Sequence, residues 1–378
     1  MRKILHLASF QGNVGDILNH QGFYSTYGYL FGECQITKIE IRDFYASAEK
    51  QRRFDDAFAD YVNEFDFFII GGGGFFDAKW TYSNTGTTID MSEQFIDSIK
   101  IPVLINGMGY HENPEMKEFE VYDRFEHFIR NITNRSNWLV TLRNDGSLER
   151  ITSRYGVIPN VHKVPDSGFF GLHQTKKNKF NKEREYIGLC ITNESFCKTY
   201  NEEVTVEIFN KKIAEVLVEL SKRYVIVLFS HTPQDIDVIS KLFYYLPSHV
   251  KRNRIITAPY TAIGEDSLML LRPYYEKCRC IVGMRFHSVI MALQLGLPMI
   301  ALAGHTQIEA IMADLNLTDM CIRVHDDNYP KDIMRQIKTS LSASGIEGWK
   351  DYVLGLQEHY KQLLIEFLIS QDVNNRTQ

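Results

Sequence analysis

The feature that most constrains this chain is an alternation of short apolar runs, glycine-bearing loops and amphipathic segments, repeated along most of its 378 residues. Apolar runs of this length predict buried strands, and the segments between them predict helices. The pattern therefore indicates βα units on mostly parallel sheets. We predict strands at Lys3–Leu7, Ile36–Ile41, Phe65–Ile70, Pro102–Asn106, Trp138–Leu142, His162–Pro165, Tyr186–Ile191, Val225–Ser230, Arg254–Ala258, Cys280–Gly283 and Pro298–Ala303.

The helices expected between these strands carry apolar faces and charged faces. We predict them at Ile17–Leu30, Ser47–Asn63, Met91–Ile99, Glu115–Asn131, Asp145–Tyr155, Glu203–Lys222, Pro233–Tyr245, Asp266–Lys277, Phe286–Leu295, Gln307–Leu315, Lys331–Ser342 and Gly348–Ile369.

A polar, basic stretch at residues 173–184 interrupts the alternation. We interpret it as a solvated linker, with a functional basic patch as the alternative. The sequence then predicts an N-terminal domain at 1–172 and a C-terminal domain at 185–378, whose last helix packs back across the junction. Two doubly wound α/β domains of this kind face a cleft and bind ligands beyond the carboxyl ends of their strands. The chemistry is therefore expected in the loops after strands.

Composition and charge exclude several classes of protein. A formal net charge of −5 does not fit a general nucleic-acid-binding protein, which needs a basic surface. No stretch approaches the roughly 20 apolar residues of a membrane span, and the first residues read as a strand rather than a signal peptide. The six cysteines are scattered, without zinc spacing. We expect a cytoplasmic protein without a metal site.

Glycine loops follow three of the predicted strands of the first half. Gly12-Asn-Val-Gly-Asp16 precedes a helix, whose N-terminal N–H groups can bind an anion, although Asp16 can equally serve as a helix cap. The Gly71–Gly74 run lets the backbone approach a phosphate or a sugar, with a purely structural turn as the alternative. The candidate ligand-binding residues in these loops are Asn13, Asp16, Gly72, Gly73, Gly74, Asp77 and Asn106.

Cationic side chains follow two other strands. Arg143 ends a buried strand, where its guanidinium can bind a carboxylate or phosphate at two points or form a salt bridge within the domain. Arg285 and His287 follow Gly283 at a strand-to-helix turn, where one residue can bind an anion while the other moves a proton. The remaining candidate contacts to an anion are Gly283, His231 and His305.

Taken together, these loops resemble the polysaccharide pyruvyl transferase family. The matching pieces run in the family's order and are Gly12-Asn-Val-Gly-Asp16, Gly71–Gly74 with Asp77, Leu142-Arg143 to Ser147 and on to Tyr155-Gly-Val157, Asp166, and Gly283-Met-Arg-Phe-His287 with Gly296 and Pro298. The resemblance implies two Rossmann-like domains arranged as in glycosyltransferase-B enzymes. It also implies phosphoenolpyruvate as co-substrate, with no further cofactor, and a saccharide of a surface glycan as acceptor. Arg143, Arg285 and His287 then fall at donor-binding and catalytic positions, with His287 as general acid and base. Gly283, His231 and His305 are then further donor-side candidates, and the candidate residues of the glycine loops become acceptor-side candidates.

One departure from the family pattern concerns the loop Gly304-His-Thr-Gln307, where members often carry a lysine. Either His305 or Gln307 replaces that charge, or the register differs. The sequence leaves open the acceptor sugar and the oligomeric state. If the acceptor is lipid-linked, the enzyme works at the inner face of a membrane by peripheral association.

Two other functions stay open at this point. One is a nucleotide-sugar glycosyltransferase of the same two-domain plan, for which Glu309 is the candidate carboxylate near the last loops. The other is a non-catalytic glycan-binding protein on the same fold.

Overall fold

The computed structural model describes residues 1–46, 48, 51–112, 119–172, 185–193, 205–264, 266–342 and 348–377. The chain forms two compact units. Unit 1 contains Met1–Phe10, Phe23–Ser167 and Val353–Gln378, and unit 2 contains Gln11–Gly22 and Gly168–Tyr352. The predicted linker at 173–184 lies outside the described residues, so the predicted domain boundaries stay a prediction.

Unit 1 is built on a parallel six-stranded sheet. Its strands lie in the order β2-β1-β3-β5-β7-β8. They are β1 (Arg2–Ala8), β2 (Cys34–Glu40), β3 (Phe67–Gly71), β5 (Val103–Met108), β7 (Trp138–Arg143) and β8 (Val161–Val164). Two short strands, β4 (Phe76–Ala78) and β6 (Tyr110–Glu112), pair with each other in parallel beyond this sheet. Every residue of β3, β5 and β7 is buried, as expected for strands covered on both faces.

Helices cover both faces of the unit 1 sheet. They are α1 (Val14–Tyr27), α2 (Asp56–Val62), α3 (Glu93–Ser98), α4 (Phe119–Thr133), α5 (Ser147–Tyr155) and α13 (Trp349–Thr377). Only the part of α1 that begins at Phe23 and the part of α13 that begins at Val353 belong to unit 1. One face packs against α2, α3 and α4. The opposite face packs against α1 and α13, where the Tyr360 ring lies 4.8 Å from the Tyr27 ring, centroid to centroid.

Unit 2 has a second parallel six-stranded sheet, ordered β11-β10-β9-β12-β13-β14. Its strands are β9 (Tyr186–Cys190), β10 (Val225–Phe229), β11 (Ile255–Thr257), β12 (Cys278–Gly283), β13 (Met299–Ala303) and β14 (Cys321–Arg323). Its helices are α6 (Val206–Ser221), α7 (Pro233–Tyr245), α8 (Ser248–Arg254), α9 (Asp266–Lys277), α10 (Phe286–Gln294), α11 (Thr306–Asp314) and α12 (Tyr329–Ser342). The order runs outward in both directions from β9, so the switch point of the topology lies between β9 and β12, where such sheets bind ligands.

All eleven strands predicted from the sequence are present, and among the described residues three short strands and one short α-helix were missed. The strands β4, β6 and β14 have three residues each, and α8 has seven, too few to establish a period. The helix predicted at Ser47–Asn63 was wrong at residues 51–55, which are not helical. Asp55 has an extended backbone and its carboxylate accepts the Phe58 N–H at 3.0 Å, so it caps a helix that begins only at Asp56.

Candidate functional site

The loop after β12 lies at the switch point of the unit 2 sheet. Gly283 ends the strand in register with Cys190, and Arg285 has the extended backbone of an N-cap residue for α10. A methyl group added at Gly283 would lie 2.3 Å from Ser288 Oγ. Glycine at this position therefore lets the first turn of α10 fold back onto the strand end, where Ser288 Oγ donates to the Arg285 carbonyl at 2.6 Å.

Arg285 is held by a buried carboxylate that sequence reasoning missed. Its Nε lies 3.2 Å from both oxygens of Asp235, and its Nη2 donates to Asp235 Oδ1 at 2.6 Å and to Thr232 Oγ1 at 2.8 Å. Asp235 has no exposed surface and completes a capping box with Thr232 at the start of α7. The guanidinium is thus fixed in orientation, and its charge is shared with an internal anion. The signal that could have found Asp235 was the capping-box spacing from Thr232.

His287 lies in the first turn of α10 and is in contact with the glycine loop of residues 12–16. The side chain is only 7% exposed. A methyl group added at Gly15 would lie 2.1 Å from His287 Nδ1 and 2.6 Å from its Cγ. The loop is anchored to unit 2 by its backbone, because Gly12 N–H donates to Ala262 O at 2.9 Å and Val14 N–H to His231 O at 3.0 Å.

Asn13, rather than Asp16, caps α1. Its Oδ1 accepts the Gly15 N–H at 2.9 Å, while Asp16 is buried in the first helical turn. Both residues cluster with Arg285 and His287 in unit 2, whereas the tetraglycine loop belongs to unit 1. The N-terminal ends of α1, α7 and α10 therefore meet in unit 2, and each contributes the positive end of a helix dipole.

His231 is an internal, neutral member of this cluster. Its side chain is 1% exposed, and its Nε2 lies 2.8 Å from the Tyr275 hydroxyl. Burial lowers the pKa of His231 to about 3, because it disfavours the charged imidazole. Arg285 and His287 lower this pKa further, whereas Asp235 acts in the opposite direction. An imidazole held in this way can offer hydrogen bonds to a ligand but carries no charge at neutral pH.

The loop after β13 contains the other predicted donor contact, His305. His305 is half-buried and caps α11, because its Nδ1 accepts the Gln307 N–H at 3.1 Å. Glu309, the carboxylate considered for a nucleotide-sugar site, forms an ion pair with Arg323.

The tetraglycine bend in unit 1 is hydrogen-bonded to the loop after β5. Gly71 and Gly72 have φ angles of 110° and 90°, which strongly favour glycine. Gly72 N–H donates to Asn106 O at 2.8 Å, and Gly109 N–H donates to Gly73 O at 2.9 Å. Two glycine loops that follow neighbouring strands thus form one backbone surface.

Arg143 lies against this surface and forms the salt bridge within the domain that the sequence left open as an alternative. The guanidinium is 5% exposed, with Nε 2.6 Å from Asp145 Oδ2, Nη1 3.6 Å from Asp166 Oδ2 and Nη2 3.4 Å from His111 Nε2. A methyl group at Gly109 would lie 2.6 Å from Nη2, so the glycine makes room for the guanidinium.

Asp145 is the strongest electrostatic partner in this cluster. Burial by itself would raise the pKa of its carboxyl, but Arg143, followed by His111 and weaker neighbours, lowers it to about 2. The carboxylate also accepts the Ser147 N–H at 3.2 Å at the start of α5. Asp145 and Asp166 were not among the predicted site residues, although both follow strands.

The other predicted acceptor-side residues have identifiable local contacts. Asn106 is buried, and its Oδ1 accepts the Tyr360 hydroxyl of α13 at 2.7 Å. Asp77 lies in β4 and forms an ion pair with Lys79. Gly73 and Gly74 approach the rings of Phe75 and His111, respectively.

Two solved structures with a similar fold are UDP-GlcNAc 2-epimerases. The UDP-GlcNAc 2-epimerase of Methanocaldococcus jannaschii, in complex with UDP-GlcNAc and UDP, is 12% identical, with 96% of this chain and 99% of that chain covered and a TM-score of 0.56. The UDP-GlcNAc 2-epimerase of Neisseria meningitidis bound to UDP-GlcNAc is 11% identical, with 96% and 100% covered and a TM-score of 0.54. At this identity the likeness shows the fold alone. It confirms the predicted α/β class, with parallel sheets in two domains of glycosyltransferase-B type.

The family follows from the sequence itself. A model of the polysaccharide pyruvyl transferase family matches residues 13–306, a range that contains both glycine loops, Arg143, Arg285 and His287. The chain belongs to the polysaccharide pyruvyl transferase family and is a transferase that modifies polysaccharide. A search of curated proteins gives no match. Within the described ranges, no helix has the length and apolar character needed to cross a membrane.

Proposed function

We propose that this protein transfers a pyruvyl group from phosphoenolpyruvate to a saccharide and leaves a pyruvate ketal on a sugar of a surface polysaccharide or its precursor. The observation that carries the proposal is the meeting of three helix N-termini around Arg285 and His287 in unit 2. Helix N-termini bind anions through free N–H groups and the helix dipole. Phosphoenolpyruvate brings a phosphate and a carboxylate, both of which suit such a site.

The reaction balances with phosphate as the only other product. The methylene carbon of phosphoenolpyruvate takes up a proton and becomes a methyl group. One sugar hydroxyl bonds to C2, the C2–O bond to phosphate breaks, and a second hydroxyl closes the ketal. The two hydroxyl protons end on the methyl group and on phosphate, so the protein must move protons but need not supply electrons.

His287 is proposed as the group that moves these protons. An imidazole serves both as acid and as base near neutral pH, and such help is typically worth about 10²–10⁴ in rate. The contact with Gly15 supports this role, because it restricts the ring to one position beside the first turn of α1. Arg285 is proposed to bind the donor through its guanidinium, which Asp235 and Thr232 hold in a fixed orientation.

Arg143 is proposed to act on the acceptor side by ordering the two glycine loops of unit 1. Its guanidinium lies against Gly109 and Gly74, and two aspartates neutralise it. The backbone of Gly72–Gly74, with Asp77 and Asn106, is proposed to bind the acceptor in unit 1. Asn13 and Asp16, which belong to unit 2, stay predicted acceptor contacts. A lipid-linked acceptor would bring the protein to the inner face of a membrane.

The test is phosphate release from phosphoenolpyruvate in the presence of a panel of acceptor glycans, together with the mass gain of the sugar. We expect His287→Ala to lower turnover by about 10²–10⁴, while stabilisation by phosphoenolpyruvate in a thermal shift assay changes little. His249→Ala, an exposed histidine on α8, is the matched control. Near-normal turnover in His287→Ala would exclude the proton-transfer role.

Arg285→Lys separates charge from geometry in the same assays. Lysine keeps the positive charge but cannot span both oxygens of Asp235 and the Thr232 hydroxyl, so we expect weaker donor binding and lower turnover. UDP and GDP belong in the thermal shift screen. Stabilisation by a nucleotide and not by phosphoenolpyruvate would instead favour a nucleotide-sugar glycosyltransferase.

A further inference from the structure

A polar cavity of about 400 Å³ lies in unit 1, beside the loops that follow β2 and β4. Its volume falls in the range of about 300–1,000 Å³ that is typical of small-molecule sites. None of the residues discussed above as donor-side or acceptor-side candidates lines it. The lining combines aromatic, cationic, anionic and amide side chains, and it consists of Phe44, Tyr45, Ala46, Gln51, Arg52, Arg53, Phe54, Asp55, Tyr82, Asn84 and Asp90.

A row of three aromatic rings borders this cavity. Trp80 lies between the two lining tyrosines, with ring centroids 6.4 Å from Tyr45 and 5.6 Å from Tyr82. Tyr82 is 49% exposed, so a face of its ring is available to a ligand. Partly exposed aromatic rings that are held by other rings provide a flat apolar surface at a low cost in conformational entropy.

The loop that carries Tyr82 is fixed from beneath by buried hydroxyl groups. Ser83, Thr85 and Thr87 have at most 1% exposure, and their hydroxyls are joined at 3.2 and 2.9 Å. Thr85 Oγ1 also donates to Ile89 O at 2.7 Å. Side chains therefore alternate along residues 82–85, so that Tyr82 and Asn84 point outward while the hydroxyl residues point inward. Such a buried, satisfied network is how a binding loop is held ready before its ligand arrives.

The polar groups of the cavity suit hydroxyl groups better than a net charge. The lining contains two guanidinium groups, Arg52 and Arg53, and two carboxylates, Asp55 and Asp90, so it has no formal excess of either sign. Asn84 donates to Asp90 Oδ1 through its backbone N–H at 2.7 Å and its side-chain Nδ2 at 2.8 Å. Donors and acceptors thus stand together beside an aromatic surface, a combination that matches the apolar ring faces and polar rims of a pyranose.

We infer that this cavity is a subsite for a neutral pyranose unit of the acceptor glycan, stacked on Tyr82 and hydrogen-bonded by Asn84 and Asp90. The assignment to the acceptor rests on the proposed function, whereas saccharide binding by the cavity rests on its own geometry. A subsite of this kind selects the glycan by a sugar next to the one that reacts.

The experiment is saturation-transfer difference NMR on the full chain without phosphoenolpyruvate. The probes are the methyl glycosides of glucose, galactose, mannose and N-acetylglucosamine, with methyl glucuronide as the acidic member. We expect at least one neutral glycoside to bind, and we expect Tyr82→Ala and Asn84→Ala each to raise its Kd about tenfold, which corresponds to the loss of one stacking or hydrogen-bond contact. Tyr29→Ala removes another exposed tyrosine of unit 1, at 63% exposure, and should leave the Kd unchanged.

Each alternative result is decisive. Absence of binding by every neutral glycoside, binding by the glucuronide alone, or an unchanged Kd in both cavity variants would overturn the subsite. Melting temperatures check that the variants fold, and Tyr82→Leu, which keeps bulk but not aromaticity, supplies a second substitution. If glycosides bind through Tyr82 but phosphoenolpyruvate fails to stabilise the wild-type protein, the proposed function fails and the saccharide site stands.

Discussion

Replacing Gly15 by alanine tests whether the glycine loop positions His287. The new methyl group would lie 2.1 Å from Nδ1, 2.6 Å from Cγ and 3.0 Å from Cβ of the histidine. Carbon and nitrogen atoms do not approach so closely, so either the ring or the first turn of α1 must move by about 1 Å or more. Overpacking of this kind typically costs about 1–3 kcal/mol. The helix preference of alanine over glycine returns up to about 1 kcal/mol.

We therefore expect Gly15→Ala to lower the free energy of unfolding by about 1–2 kcal/mol in urea titration. A displacement of about 1 Å at a reacting group can cost about 10²-fold in rate, so turnover in the phosphate-release assay should fall by that order. The matched control is Gly355→Ala. Gly355 lies within α13 with no atom near its missing side chain, so this change should stabilise the protein by about 1 kcal/mol and keep turnover normal.

A double-mutant cycle gives the decisive result. In a His287→Ala background the ring is gone, so the added methyl at residue 15 should cost little, and the coupling free energy should reach about 1–3 kcal/mol. Additive effects of the two changes, or wild-type stability and turnover in Gly15→Ala alone, would refute the argument. The stability readout tests the contact whether or not the proposed reaction is correct.

The remaining predictions concern the two buried ionic clusters. Arg143→Ala removes the guanidinium that both buried carboxylates, Asp145 and Asp166, contact, and it should cost about 3–5 kcal/mol in urea unfolding. Arg323→Ala at an exposed ion pair should cost at most about 1 kcal/mol, and equal losses would contradict the structural role. The folded-state pKa of Asp145 is about 2, below its ordinary value of about 3.9, so it adds about 2–3 kcal/mol of stability that is complete above about pH 4 and lost as the pH falls toward 2. His231 keeps a pKa of about 3 when folded and about 6.5 when unfolded, so the unfolded chain takes up the proton first and stability falls as the pH drops from 6.5 toward 3. Between pH 6.5 and about 4, the free energy of unfolding should depend less steeply on pH in His231→Asn than in the wild-type protein. An unchanged slope would show that the imidazole is not buried in its neutral form.

The sequence by itself determined the strands, the order of the loops and the family. Strands of a parallel sheet are covered on both faces, so each appears as an unbroken apolar run that can be recognised locally. The loops after them are equally local, which is why Gly283, Arg285 and His287 could be placed at a strand-to-helix turn from the printed sequence. The same locality explains the error at residues 51–55, because charged and aromatic residues there fit a helical period, whereas Asp55 caps a helix that begins at Asp56.

Only the tertiary structure decided which groups these residues meet. Asp235 lies 50 positions from Arg285 in the sequence, and Tyr360 lies 254 positions from Asn106, so no local pattern records either pair. The glycine loop of residues 12–16 follows the first strand of unit 1 along the chain. It nevertheless belongs to unit 2, where it packs against His287. Partners of this kind are chosen by sheet order and helix packing, in which the distance along the chain does not determine the distance in space.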